Sequence, residues 1–187
     1  IGLPLPNVQA RILDPETLQE VGPGEVGEIW LKGPNITPGY WRKPRETKAV
    51  FVNGWFRTGD LGKKDKEGYY YITDRLKHII ISGGENISPK ELESVINQHQ
   101  KVAEACVVGI PDEKWGEKVV ATVVLKPGMA LTEKEVKEYC KIHLMDWKCP
   151  KEVLFLEELP RNRMGKVMKE EVVKQVLHLL PSPKSAL

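Results

Sequence analysis

The rhythm of hydrophobic and polar positions changes near residue 74. Before it, short segments alternate with period two: "VQARIL" (8–13), "GEIWLKG" (27–33) and "GYYYIT" (68–73). Each is bounded by turn residues, which is the signature of half-buried strands. Asn53-Gly54 and Asp65-Lys66-Glu67-Gly68 are suited to tight turns between strands. No helical period is evident in this half, so it is expected to be antiparallel β-structure.

After residue 74, strands and helices alternate. "HIIIS" (78–82) predicts a short buried strand, and "SPKELESVINQH" (88–99) predicts a helix. In that helix Ser88 is the N-cap, Pro89 the first turn, and Glu91 completes a capping box. Its apolar face would carry Leu92, Val95, Ile96 and His99. "VAEACVVGI" (102–110), "KVVATVVLK" (118–126) and "EVLFLEEL" (152–159) predict strands. "LTEKEVKEYCKIHLM" (131–145) predicts a helix capped by Thr132 and Glu135, and "KEEVVKQVLHLL" (169–180) a last one. In the last, Val172, Val173, Val176, Leu177 and Leu180 are expected to face inward. The fold class expected is α+β: a small antiparallel β subdomain, then a compact α+β domain with a short sheet and flanking helices. The boundary, near Asp74-Arg75-Leu76-Lys77, is short and charged, which suits a hinge. Pro181 to Leu187 are expected to form a loose tail.

Composition narrows the function. The chain has 187 residues, 41% hydrophobic and 29% charged, with a net charge of +2. That balance gives no argument for nucleic acid or an anionic membrane. No apolar run approaches the roughly 20 residues that span a bilayer, and the start is not that of a signal peptide. Cys106, Cys140 and Cys149 lack metal-ligand spacing and are expected to be reduced, buried thiols of a cytoplasmic protein. The four histidines, His78, His99, His143 and His178, have no zinc-like spacing. No GxSxG elbow is present.

Three stretches could carry chemistry. In "LPRNRMGKVMK" (159–169), Arg161, Arg163 and Lys166 cluster with no acid among them. Lys166 is expected just before a helix N-terminus, where an anion is favoured. Taken alone, the stretch reads first as a solvated basic turn. In "GWFRTGDLG" (54–62), Asp60 is expected in a turn, where its carboxylate could accept bonds from two vicinal hydroxyls or cap the turn itself. In "DRLKHIIISGGENISP" (74–89), Arg75 and Lys77 offer donors to a ribose or phosphate. Gly83-Gly84 permit a close backbone approach or a sharp turn, with Glu85 and Asn86 leading into the helix.

Taken together and in this order, "GYW…GWFRTGDLG…GYYYITDRLKHIIISGGENISPKELE…VVGIPDEKWGE…PRNRMGK" resembles the carboxyl-terminal part of the acyl-adenylate-forming (AMP-binding) enzymes. Within that superfamily the strings after the hinge are most similar to fatty-acyl and related acid–CoA ligases. The resemblance implies that residues 1–74 are the β-rich end of a large adenylating domain, and 75–187 a mobile C-terminal domain. It implies a parent enzyme that activates a carboxylic acid, expected to be a fatty acid, with ATP and passes the acyl group to coenzyme A, releasing AMP and pyrophosphate. By resemblance, Asp60 and Arg75 bind the nucleotide ribose, Lys77 is the hinge, and Lys166 bridges carboxylate and α-phosphate. Gly83, Gly84, Glu85 and Asn86 belong to the stretch at the pantetheine tunnel, and Trp115 sits where some relatives contact coenzyme A. Ile81 stands where several relatives have a lysine, so no second-step lysine is expected there.

The implied partners are ATP, coenzyme A, a small carboxylic acid and the protein's own N-terminal domain. No nucleic acid or transmembrane segment is implied. Mg2+ would be held mainly by residues upstream of Ile1, as would the acyl pocket, so the segment alone is expected to be inactive. A carrier-protein-loading adenylation domain and a non-catalytic binding fragment are the alternative readings.

Overall fold

The computed structural model describes residues 1–180; the expected tail from Pro181 lies outside the described residues. The chain divides into two compact units, Ile1–Lys77 and from His78 onward.

The first unit is built on one antiparallel sheet. Strands β1 (Gln9–Leu13), β2 (Gly27–Lys32), β3 (Phe51–Val52), β4 (Trp55–Lys64) and β5 (Tyr70–Arg75) form it. β4 is the central element: β2 pairs along one edge, while β3 and β5 share the other. The Asn53-Gly54 turn has φ of 50° and 77°, as a two-residue hairpin turn requires. Asp65 closes the next turn by accepting from Tyr69 N at 2.8 Å. A short helix, α1 (Pro44–Val50), interrupts the β-structure. No helical period announces it, because it buries no residue and therefore has no apolar stripe.

The second unit is a mixed sheet with helices on both faces. Its strands are β6 (Ile80–Ser82), β7 (Glu85–Ile87), β8 (Val102–Asp112), β9 (Gly116–Leu125) and β10 (Glu152–Phe155). β8 and β9 form a long antiparallel hairpin, and β10 joins β9 in parallel. Helices α2 (Pro89–Asn97) and α3 (Glu133–His143) cover one face, where Leu92, Ile96, Val136 and Cys140 meet Val107, Val119, Ala121 and Val123. Helix α4 (Lys169–Leu179) covers the other, where Val172 and Val176 meet Cys106, Val108, Ile110 and Val120. β9 is thus buried on both faces, which explains its nearly unbroken apolar run. The architecture is the expected α+β class.

Several local expectations change. β7 intervenes between Gly83-Gly84 and α2, so Glu85 and Asn86 lie in a strand rather than leading directly into the helix. β10 ends at Phe155 rather than at Leu159. Leu177 does not face inward and is 51% exposed, because α4 has a narrow apolar stripe centred on Val172 and Val176. His99 lies beyond the end of α2. Ser88 Oγ accepts from Glu91 N at 3.4 Å, but the Glu91 carboxylate is taken by Lys148 Nζ at 2.8 Å. The reciprocal capping box is complete at α3, where Thr132 and Glu135 bond each other in both directions. The three cysteines are free and buried, and burial pushes the thiols of Cys106 and Cys140 up to about 12.

The Thr132 hydroxyl and backbone N–H, both bonded to Glu135, hold that carboxyl below its ordinary value of 4.5. The resulting stability is present above that ordinary value and is lost as pH falls through the lower folded-state value. Thr132→Ala is expected to cost about 1 kcal/mol near neutral pH. In denaturant titrations the gap from the unsubstituted protein should narrow in acid.

Candidate functional site

Asp60 sits in strand β4 at a bulge, not in a turn as expected. Opposite Glu28 and Trp30 on β2 stand Leu61 and Arg57 on β4. Two steps along β2 therefore face four along β4, and Thr58-Gly59-Asp60 arch out of the β2–β4 ladder. Gly59 adopts φ of +70°, where a side chain is disfavoured. A second irregularity, between Leu61 and Gly62, lies on the β5 side. Asp60 faces Arg75 across the β4–β5 ladder, and Asp60 Oδ1 accepts from Arg75 Nε at 2.6 Å. The structure thus brings these two predicted residues together.

Glu28 holds the arch, and the sequence reading missed it. The residue is only 1% exposed. It accepts from Trp30 Nε1 at 2.9 Å, from Arg57 Nε at 3.1 Å and from Gly59 N at 3.1 Å. A buried carboxylate persists only when paired and fully bonded, and Arg57 supplies the counter-charge. Thr58 completes the arch: its hydroxyl donates to Ile29 O at 2.7 Å and accepts from Asp60 N at 3.0 Å. The acid in "GEIW" could have been noticed as the one acidic residue of a largely apolar strand.

Lys77 is exposed in the 3-10 turn Leu76–His78, at the end of the first unit. In the second unit Gly83 and Gly84 turn the β6–β7 hairpin, with φ of 63° and 86°. Gly83 N donates to Trp115 O at 2.8 Å, and a Cβ on Gly83 would meet the Trp115 ring at 3.2 Å. Trp115 lies in the β8–β9 turn, with Lys114 and Lys151 over its ring at 4.8 Å and 5.0 Å. Asp112 closes this turn. Desolvation alone would raise its carboxyl, but the N–H groups of Trp115 and Lys114 outweigh that and hold it below the ordinary carboxylate value. Gly83 and Trp115 therefore share one surface, edged by the exposed Gly84, Glu85 and Asn86. Ile81 is 57% exposed beside it.

Lys166 lies in an exposed loop between β10 and α4. It is not at the helix start itself: α4 begins at Lys169. Its backbone belongs to a tight turn in which Asn162 Oδ1 accepts from Met164 N and Lys166 N, each at 3.0 Å. The expectation of three uncompensated cations needs correction. Arg161 forms an ion pair with Glu104 of β8, an acid 57 residues away in sequence. Among the described residues, no ion pair involves Arg163 or Lys166. Lys169 is paired with Glu93 at 2.7 Å.

This loop and the Gly83–Trp115 surface lie at opposite ends of the β8–β9 hairpin. Glu104, at the open end, holds the first, and Asp112, at the turn, holds the second. At the rise of an extended strand, these anchors are about 25 Å apart. Among the described residues no group of three or more His, Cys, Asp or Glu could hold a metal ion.

Comparison with known proteins places this geometry. The sequence profile described as the AMP-binding enzyme C-terminal domain matches residues 91–166, and that of the AMP-binding enzyme matches residues 1–41. The chain belongs to the AMP-binding enzyme family. It is 43% identical to the long-chain-fatty-acid–CoA ligase of Bacillus subtilis strain 168, over 94% of this chain and 31% of that protein. The solved structure of ATP-bound MatB from Rhodopseudomonas palustris matches with a TM-score of 0.89 and 44% identity, over 94% of this chain and 35% of that one. The o-succinylbenzoate–CoA synthetase of Bacillus subtilis, solved with its acyl-adenylate intermediate, matches with a TM-score of 0.83 and 41% identity, over 90% and 34%. The chain spans about a third of the length of these AMP-binding relatives.

Glu28→Gln keeps the shape but removes the charge facing Arg57 and weakens the hold on Gly59 N–H. It is expected to destabilise the first unit by about 2 kcal/mol, the scale for a buried group left poorly bonded. Urea unfolding followed by tryptophan fluorescence would measure this, since Trp30 bonds the carboxylate directly.

Proposed function

We propose that this chain is the carboxyl-terminal third of an ATP-dependent acid–CoA ligase acting on a carboxylic acid of fatty-acyl type. The observation that carries the proposal is the division of labour within the second unit. One end of the β8–β9 hairpin presents an unpaired lysine, and the other presents a backbone turn beside an aromatic ring flanked by two ammonium groups. Such a unit can serve two reactions in turn if it rotates about the segment at Lys77.

In the first reaction a carboxylate oxygen attacks the α-phosphorus of ATP, and pyrophosphate leaves. Both reactants are anionic, and Lys166 offers a mobile point charge where negative charge builds. Asp60, already bonded to Arg75 through one oxygen, retains acceptor capacity for the two ribose hydroxyls. Arg57 and Glu28 keep that carboxylate from drifting by fixing the arch that bears it. In the second reaction a thiol sulfur attacks the acyl carbon and AMP leaves. The Gly83–Trp115 surface suits a narrow pantetheine arm, because glycine lets the backbone approach and Lys114 and Lys151 favour nearby phosphates. The acid pocket, and residues to hold a divalent cation beside the phosphates, would lie elsewhere in the longer protein. The isolated chain would therefore not turn over.

In the longer ligase, Lys166→Ala is expected to lower adenylation, followed by pyrophosphate exchange, by about 10²–10³. Thioester formation from preformed acyl-adenylate should largely survive. Equal loss of both steps would contradict the assignment. Asp60→Ala should instead raise the KM for ATP and narrow the preference for ATP over its 2′-deoxy analogue.

A further inference from the structure

The loop bearing Lys166 has no burial to hold it, since residues 161 to 166 are all exposed. It is nevertheless built as a closed unit. Asn162 N donates to Lys166 O at 2.9 Å, Gly165 N donates to Asn162 O at 2.9 Å, and Asn162 Oδ1 gathers two further N–H groups. Its neck is closed by Met168 N donating to Pro160 O at 2.8 Å and by the bridge between Arg161 and Val167. These bonds fix the loop's shape. They do not fix where its tip stands over the sheet, because all of them lie within residues 160–168.

Arg161 supplies that connection. Its Nη1 donates to Gly165 O at 2.7 Å, the carbonyl immediately before Lys166. Its Nη2 pairs with the Glu104 carboxylate. Glu104 stands where β8 slips register against β9, between Val102 and Glu104. From there residues 104, 106, 108 and 110 share a parity, and Cys106, Val108 and Ile110 face α4. A bulge re-aims a side chain in this way. At the other end of the loop, Lys169 binds Glu93 and the Val107 carbonyl, so both ends are tied to β8 or its covering helix.

We propose that Arg161, held by Glu104, is a positioning residue for Lys166. The planar guanidinium spans from the sheet to the loop tip and sets the direction in which the lysine leaves the backbone. A lysine at 161 would lack the rigid planar fork that sets these two partners in fixed directions. The inference rests on reading Lys166 as the adenylation lysine.

The test uses the longer ligase with Arg161→Ala, Glu104→Gln, Lys166→Ala and the double variant Arg161→Ala/Lys166→Ala. Misplacing a reacting group by about 1 Å can cost about 10²-fold. Arg161→Ala is therefore expected to lower the kcat of adenylation about ten- to a hundredfold. The KM for ATP and the thioester step from preformed acyl-adenylate should not change. Glu104→Gln should show the same pattern more weakly, and it reads the same contact if Arg161→Ala does not fold. The double variant should be no slower than Lys166→Ala alone, because Arg161 acts through the lysine. An ion pair that only stabilised the fold would lower both steps together or neither, and its loss would add to that of Lys166→Ala. Either result overturns the inference while leaving Lys166 in its role. Adenylation unaffected by Lys166→Ala would instead overturn the role of Lys166, and this inference with it.

Discussion

The second unit depends on the β8–β9 ladder, and above all on β9 being apolar on both faces. Helices α2 and α3 need one face, and α4 needs the other. Burying Val119, Ala121 and Val123 on one side and Val120 on the other fixes the register, because a one-residue slip would exchange the faces. The single buried hydroxyl on β9, Thr122, donates to Cys106 O at 2.9 Å and so does not weaken the core. The hairpin is also a rigid spacer. It keeps the lysine loop and the Gly83–Trp115 surface apart, at its two ends.

Both units use charge where backbone would otherwise be left unpaired. In the first, an arch lifts Thr58–Asp60 out of the ladder, and the buried Glu28 replaces the lost partner of Gly59 N. In the second, β8 is an edge strand, and Glu93 accepts from Val107 N at 2.9 Å while Lys169 donates to Val107 O at 3.0 Å. An ion pair thus covers both hydrogen-bonding groups of one edge residue, which blunts the edge against pairing with other chains. The same ion pair raises and lowers the neighbouring Cys106 thiol in opposite senses, and burial dominates, leaving it protonated and inert.

Much of this was legible along the chain. Period-two segments marked β1, β2 and β5, and capping residues marked α2 and α3, because these features are local. Asp60, Arg75, Lys166 and Trp115 stood out through motif spacing and resemblance, although Asp60 was read as a turn residue. The arch could not be read, because it is defined by what stands opposite on β2. Helix α1 was invisible for want of a buried face, and β7 because only one of its three residues, Ile87, is apolar.

By itself, the sequence determined the α+β alternation, the change of grammar near residue 74, and the short stretches that carry the candidate chemistry. Those follow from side-chain periodicity and from chemistry carried within short stretches. Only the tertiary structure decided which charges are spent on the protein itself. Arg161 looked as available as Lys166, yet Glu104, distant in sequence, is folded against it. Glu28 looked like an ordinary strand acid, yet it is sealed beneath the Asp60 arch. Pairing across a sheet depends on register and bulges, and these are settled only when the whole core packs.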